Sequence, residues 1–285
     1  MFTRSISLFA LLSVAFLSAC ATSLESREAT LLATDSGIQY VDAGPKSNNA
    51  IVLVHGWASD HTIWNEQVEA LREDYRVLAV DLPGHGGSAR GDGPWSMAMM
   101  AGGITKALDH AGVRRAVLVG HSNGTPTIRE FYRMHPVRTL GLVAVDGALR
   151  SVVDPSMMRS VVAMFQGENY KQNAERFVSG AIPPDAEYRE LIAEMFNGTP
   201  QDTLVGGIEA QLEPSVWDPT PIGVPLLVIN AEAPFWTADY KHFVDDIAED
   251  STYRTIPDAS HFLFLDRPEA FGAILREWLE SRDLP

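Results

Sequence analysis

Ser122 stands at the centre of Gly120-His121-Ser122-Asn123-Gly124, a G-x-S-x-G that directly follows the apolar run 116–119 and precedes a helix-like stretch over 126–134 with Pro126 in its first turn. A serine hydroxyl is a weak nucleophile until a base removes its proton, and a sharp strand-to-helix turn between small residues exposes it at a helix N-terminus. Gly and Ser are common in loops, so the pentapeptide alone says little. Its place between a strand and a helix is what marks a strained nucleophile elbow.

The base that such a serine needs is an imidazole, and His261 is the one of eight histidines that follows the run 252–256, the expected last strand. His61, His110, His135 and His242 fall in helical or helix-end stretches and read as surface residues, while His55 and His85 read as loop architecture. A developing oxyanion needs fixed N–H donors, one from the residue after the nucleophile and one from the loop after an early strand. Those are the main-chain groups of Asn123 and of Trp57, the latter in Val54-His55-Gly56-Trp57. The Trp57 side chain is then free to line a pocket or simply to pack.

Apolar β-rich runs at 50–54, 75–80, 116–119, 140–145 and 225–229 alternate with helix-like stretches at 61–72, 96–111 and 126–134. Buried strands alternating with helices predict an α/β architecture, a mostly parallel central sheet with helices on both faces. About seventy residues over 149–219 carry helical periodicity without a strand and are too long for a plain loop, which predicts a helical cap over the carboxyl ends of the strands. The core is then 36–148 together with 220–285, closed by a helix over 267–278.

These motifs resemble the α/β-hydrolase superfamily. The resemblance covers about 37–279 and rests on the His55-Gly56 loop, Asp81-Leu82-Pro83-Gly84-His85-Gly86, the Ser122 elbow and the His261 segment with Arg267-Pro268-Glu269-Ala270-Phe271 behind it. It implies the α/β-hydrolase fold, a cap and hydrolase chemistry, and leaves the substrate open. One departure matters. Many members of the family place the catalytic acid just after the strand that follows the cap, but here that segment reads Asn230-Ala231-Glu232-Ala233-Pro234, with Pro234 where an aspartate is expected. Asp146, at the end of the run 140–145, is where other members supply the acid; Glu232 and Asp239 are the alternatives. Asp146 also reads as a strand-end residue capping a turn with Gly147, and Asp239 as part of a helix N-terminus.

The formal charge of -15 is spread along the chain, which argues against nucleic acid as a partner, since that needs a basic footprint. No metal-ligand spacing such as H-E-x-x-H is present, and no cofactor is expected. Arg4, the apolar run 6–17 and Leu17-Ser18-Ala19-Cys20 read as an export signal too short to span a bilayer, and its last four residues resemble the bacterial lipoprotein signal. Residues 1–19 are then a signal peptide, Cys20 the lipidated residue and membrane anchor, and 20–35 a tether. Cys20 is the only cysteine, so no internal disulfide competes for it. Ala21 in place of an aspartate favours, by the same resemblance, the outer membrane.

Hydrolysis of a small to medium apolar carboxylic ester or lactone through an acyl-enzyme is the leading expectation. A serine nucleophile excludes the halide-displacing and epoxide-opening members of the resembled family, which need a carboxylate. Peptidase, amidase and carbon–carbon bond hydrolase remain open, as does a catalytically silent binding lipoprotein.

Overall fold

The computed structural model describes residues 28–285. Eight strands form one sheet in the order β1-β2-β4-β3-β5-β6-β7-β8. They are β1 (Thr30–Ala33), β2 (Gln39–Ala43), β3 (Asn49–Val54), β4 (Val77–Val80), β5 (Arg115–His121), β6 (Thr139–Val145), β7 (Leu226–Ala231) and β8 (Ser251–Ile256). β1 and β2 pair antiparallel, and all pairs from β4 to β8 are parallel. β3 and β5 are nearly continuous apolar runs because both faces of the sheet are covered.

Pleating sends alternate residues into two cores. Ile51 and Leu53 meet α1 (Asn65–Leu71), α10 (Pro268–Glu280) and the inner side of the cap. Ala50, Val52 and Val54 meet α2 (Met97–Ala111), α3 (Gly124–Met134) and α8 (Ala238–Ile247). Between β6 and β7 lie α4 (Pro155–Gln166), α5 (Tyr170–Ala181), α6 (Arg189–Gly198) and α7 (Gln201–Glu209); α9 (Leu263–Asp266) follows β8. The chain thus alternates as an α/β-hydrolase fold does, with a run of helices between β6 and β7.

Two sequence expectations are corrected. Residues 30–33, assigned to a tether, are strand β1; they form a short exposed edge strand with no apolar alternation to announce it. His61, read as a surface residue, is tied down: its Nδ1–H and its main-chain N–H both donate to the buried carboxylate of Asp81 at 2.7 Å. The signal peptide and Cys20 lie outside the described residues. Among the described residues no helix is long and apolar enough to cross a membrane.

One buried side chain ties both ends of the cap to the core. Arg129, on α3, is buried and donates to Leu149 O at the start of the insertion and to Asp218 O and Thr220 O at its end. Arg133, one turn later, adds bonds to Val216 O and Asp218 O. Both junctions of the insertion therefore close on the helix that begins at the Ser122 elbow.

Candidate active site

Ser122 sits in the tight turn between β5 and α3 with φ of +52°, a left-handed conformation that a non-glycine residue holds only when its surroundings enforce it. The flanking glycines explain how. A Cβ at Gly120 would stand 2.4 Å from Gly124 O, and one at Gly124 would stand 2.6 Å from Val54 O. Only bare backbone lets α3 start this close to β3 and β5. Ser122 N–H donates to Val145 O at 3.0 Å, which locks the elbow to the end of β6.

The residue after β6 is Asp146, also left-handed at φ +41° and buried. Its Oδ2 accepts from His261 Nδ1 at 2.6 Å, while Oδ1 accepts the main-chain N–H of Ala231 and the indole N–H of Trp236, each at 3.0 Å. The bond through Nδ1 leaves the other imidazole nitrogen, Nε2, free, and the His261 side chain is 40% exposed into the cavity. Of the other two candidate acids, Glu232 lies exposed at the cavity rim without a bond to His261, and Asp239 lies exposed in the first turn of α8.

The loop after β8 holds His261 in place. His121, inside the elbow motif, is buried and donates Nε2–H to His261 O at 2.9 Å. Burial, with the nearby His261 imidazole adding to it, holds the pKa of His121 well below the usual histidine range, so the ring is neutral. Tyr188 of the cap donates to Asp266 Oδ1 at 2.7 Å and accepts from Ser260 Oγ at 2.8 Å, and Ser260 N–H donates to Asp266 Oδ2 at 2.6 Å. Tyr188 and Trp236 were not singled out for these roles by sequence. Their partners lie 72 and 90 residues away.

Ser122, His261 and Asp146 all line one cavity of about 360 Å³ between sheet and cap. Its apolar wall is drawn from Phe177, Ile182, Ile192, Phe196, Phe235 and Phe262. Its titratable lining is His121, Asp146, Glu232 and His261, with no lysine or arginine among the described lining residues. The main-chain N–H groups of Trp57 and Asn123 make no hydrogen bond to another described residue. His55, by contrast, is wholly structural in its bonding: Nδ1–H donates to Gly56 O at 2.7 Å and Nε2 accepts Leu82 N–H at 2.9 Å. Asp60, His61 and Asp81 also cluster, but they are used internally, Asp60 capping Thr62 and Asp81 holding His61 and Gly87.

A strained serine, an imidazole and a buried carboxylate on the carboxyl-terminal edge of a parallel sheet define a hydrolase of the α/β class. The sequence profile of the family described as alpha/beta hydrolase fold matches residues 49–205, and the chain belongs to that family. It is 27% identical over 257 residues to a pimeloyl-[acyl-carrier protein] methyl ester esterase of Methylococcus capsulatus, covering 81% of this chain and 94% of that one. It is 22% identical over 250 residues to 3-oxoadipate enol-lactonase 2 of Acinetobacter baylyi, covering 85% and 93%. Among solved structures, a thermophilic esterase from Thermogutta terrifontis superposes with a TM-score of 0.75 at 25% identity, covering 90% of this chain and 99% of that one.

Proposed function

We propose that the protein is a serine esterase that cleaves small to medium, uncharged, apolar carboxylic esters or lactones through an acyl-enzyme. The observation that carries this reading is the 2.6 Å bond between His261 Nδ1 and Asp146 Oδ2 in the cavity that also holds the strained Ser122. Ser122 Oγ attacks the carbonyl carbon while its proton passes to His261 Nε2. Asp146 fixes the tautomer and stabilises the imidazolium, and the N–H groups of Trp57 and Asn123 receive the oxyanion. As the tetrahedral intermediate collapses, the alcohol departs with the proton from His261. A water molecule that then loses its proton to His261 attacks the acyl-enzyme and releases the acid.

The cavity wall favours alkyl or aryl groups. Glu232 at the rim, with no lysine or arginine in the described lining, disfavours acyl groups that carry a carboxylate. That is a difference in substrate from the dicarboxylic skeleton in the name of the 3-oxoadipate enol-lactonase. Export and attachment to a membrane through a lipidated Cys20 belong to the same proposal, supported by the segment ending Leu17-Ser18-Ala19-Cys20. Loss of fatty-acid labelling in Cys20→Ala is the expected result there.

The test of the reaction is twofold. The protein is treated with a fluorophosphonate probe and assayed on p-nitrophenyl esters from acetyl to octanoyl. Labelling and turnover that vanish together in Ser122→Ala support the esterase. A folded protein inert to both would leave a binding role in its place.

A further inference from the structure

The cap helix α7 holds the two residues assigned to the oxyanion hole, and it holds both by their side chains. Trp57 Nε1–H donates to Leu204 O at 2.8 Å, and Asn123 Nδ2–H donates to Gly207 O at 3.2 Å. Trp57 comes from the loop after β3 and Asn123 from the elbow after β5, so two separate loops of the core end on carbonyls one turn apart on a single helix of the insertion. Gly207 faces both side chains at close range. A Cβ there would stand 2.9 Å from Trp57 Cδ1 and 4.0 Å from Asn123 Nδ2. The neighbouring Gly206 is as crowded on its own side, where a Cβ would meet the Trp95 ring at 2.1 Å. The Trp57 indole is also gripped edge-on by Phe165, Phe177 and Phe196, with ring centroids 5.1, 5.3 and 5.2 Å away.

These contacts have a use that packing alone does not require. An oxyanion donor works only when its N–H lies 2.7–3.1 Å from the place where negative charge develops, and displacement by about 1 Å can cost about a hundredfold in rate. The direction of a main-chain N–H is set by its peptide plane, which a free loop does not hold. A side chain anchored at its far end does hold it. Asn123 is only 4% exposed and Trp57 is clasped by three rings, so neither anchor is loosened by water.

We propose that α7 is the positioning element of the oxyanion hole, with the side chains of Trp57 and Asn123 as its two struts and Gly207 as the contact that lets the helix seat against them. The inference rests on the acyl-transfer reading above, which assigns the oxyanion to the Trp57 and Asn123 N–H groups. The hole is then complete only when the insertion is seated on the core. Phe177 and Phe196 line the substrate cavity and also grip the Trp57 ring, so an acyl group in that cavity presses on the same strut. Because the oxyanion exists only beyond the ground state, loss of a strut lowers kcat and leaves KM nearly unchanged.

The experiment compares wild type with Trp57→Phe, which keeps an aromatic ring but drops the N–H; Asn123→Leu, near in volume but without a donor; and Gly207→Ala. Readouts are kcat and KM on p-nitrophenyl butyrate, the affinity of a trifluoromethyl ketone that forms a tetrahedral adduct, and thermal unfolding. The expected result is a fall in kcat of about tenfold to a hundredfold, below the loss of about 10²–10³ for a deleted donor, with KM within about threefold. Ketone affinity falls in step with kcat, and the double variant Trp57→Phe with Asn123→Leu falls by less than the product of the single losses. Should Gly207→Ala fail to fold, the other two carry the test. Folded variants with kcat within about twofold of wild type, or with the loss confined to KM, overturn the proposal. A wild type that does not react with a fluorophosphonate, or that still reacts after Ser122→Ala, instead overturns the esterase reading beneath it.

Discussion

Trp236 donates its indole N–H to Asp146 Oδ1 at 3.0 Å, so the loop after β7, which carries Pro234 where an aspartate was expected, supports a carboxylate placed at the end of the neighbouring strand β6. The carboxylate and its support have been divided between adjacent strands. Trp236→Phe keeps the ring and removes one donor to the buried carboxylate. We expect a fall in kcat of about tenfold, in line with a charge-assisted hydrogen bond of roughly 1.5 kcal/mol, with KM unchanged in steady-state ester hydrolysis.

Asp146→Asn is expected to cut kcat by about 10³–10⁴, because the amide favours the wrong imidazole tautomer while leaving the shape intact. Glu232→Gln on the same assay is expected to stay within about threefold of wild type. A reversed order of the two losses would transfer the acid role to Glu232.

Much of this site is legible in the sequence because its parts are local. Gly120 to Gly124 mark the junction of a strand, a turn and a helix, and in the structure β5 ends at His121 and α3 begins at Gly124. Asp146 is legible only as a strand-end carboxylate among three candidates, since nothing near it in sequence says that His261 arrives 115 residues later. The polar roles of Trp236 and Tyr188 are invisible for the same reason: an indole or phenol in an apolar stretch reads as packing or pocket wall, and its polar end acquires a role only through a distant partner. β1 escapes notice because an exposed edge strand has no buried face to impose alternation. The stretch 61–72 reads as one helix but folds as a 3₁₀ turn, His61–Trp64, followed by α1, because Asp81 claims His61 and turns the chain.

On the proposed esterase reading, the apolar wall sets substrate size. For esters that fit, kcat/KM is expected to rise roughly fourfold per added methylene, from about 0.8 kcal/mol for each buried CH₂, until the cavity of about 360 Å³ is filled. Ala181 lines the cavity from an exposed position, so Ala181→Phe narrows it without crowding the core. The variant should lose octanoyl ester at least tenfold more than acetyl ester. An unchanged chain-length profile would place the acyl group elsewhere.

Three buried histidines make the fold sensitive to acid. Burial lowers the pKa of His55 and His121, and brings that of His85 down to about 3, with the neighbouring His55 imidazole adding to the effect on His85. Each is neutral in the native state and binds a proton on unfolding at any pH between its native value and the ordinary histidine value near 6.5. The unfolded chain therefore binds more protons in that window, and stability falls as pH drops below about 6.5, by about 1.4 kcal/mol per pH unit for each such group. Unfolding temperatures measured from pH 7 to pH 4 are expected to decline steeply, with a shallower slope in His85→Asn. Equal slopes in the two proteins would contradict this assignment.

Arg129 offers a direct measure of how the insertion is held. Burial pulls its pKa down to about 10, still far enough above neutrality to keep it charged. Arg129→Met leaves the junction carbonyls of Leu149 and Thr220 without their donor and takes one donor from Asp218 O, which keeps Arg133. We expect a loss of about 3 kcal/mol, read as several degrees in Tm. Partial proteolysis should cut within 149–219 before it cuts the core.

β1 enters the sheet with Thr30 opposite Asp42, and Asp42 in turn faces Leu78 near the start of β4. The polypeptide therefore joins the domain at the amino-terminal edge of the parallel strands, whereas the cavity opens at their carboxyl-terminal edge. A handle fused ahead of residue 28 and fixed to a support would present the mouth outward, toward bulk liquid, at the far pole of the particle. Oriented immobilisation on a bead or sensor chip should then leave turnover of a dissolved ester close to that of the free protein, while coupling through the exposed face of the cap should throttle it.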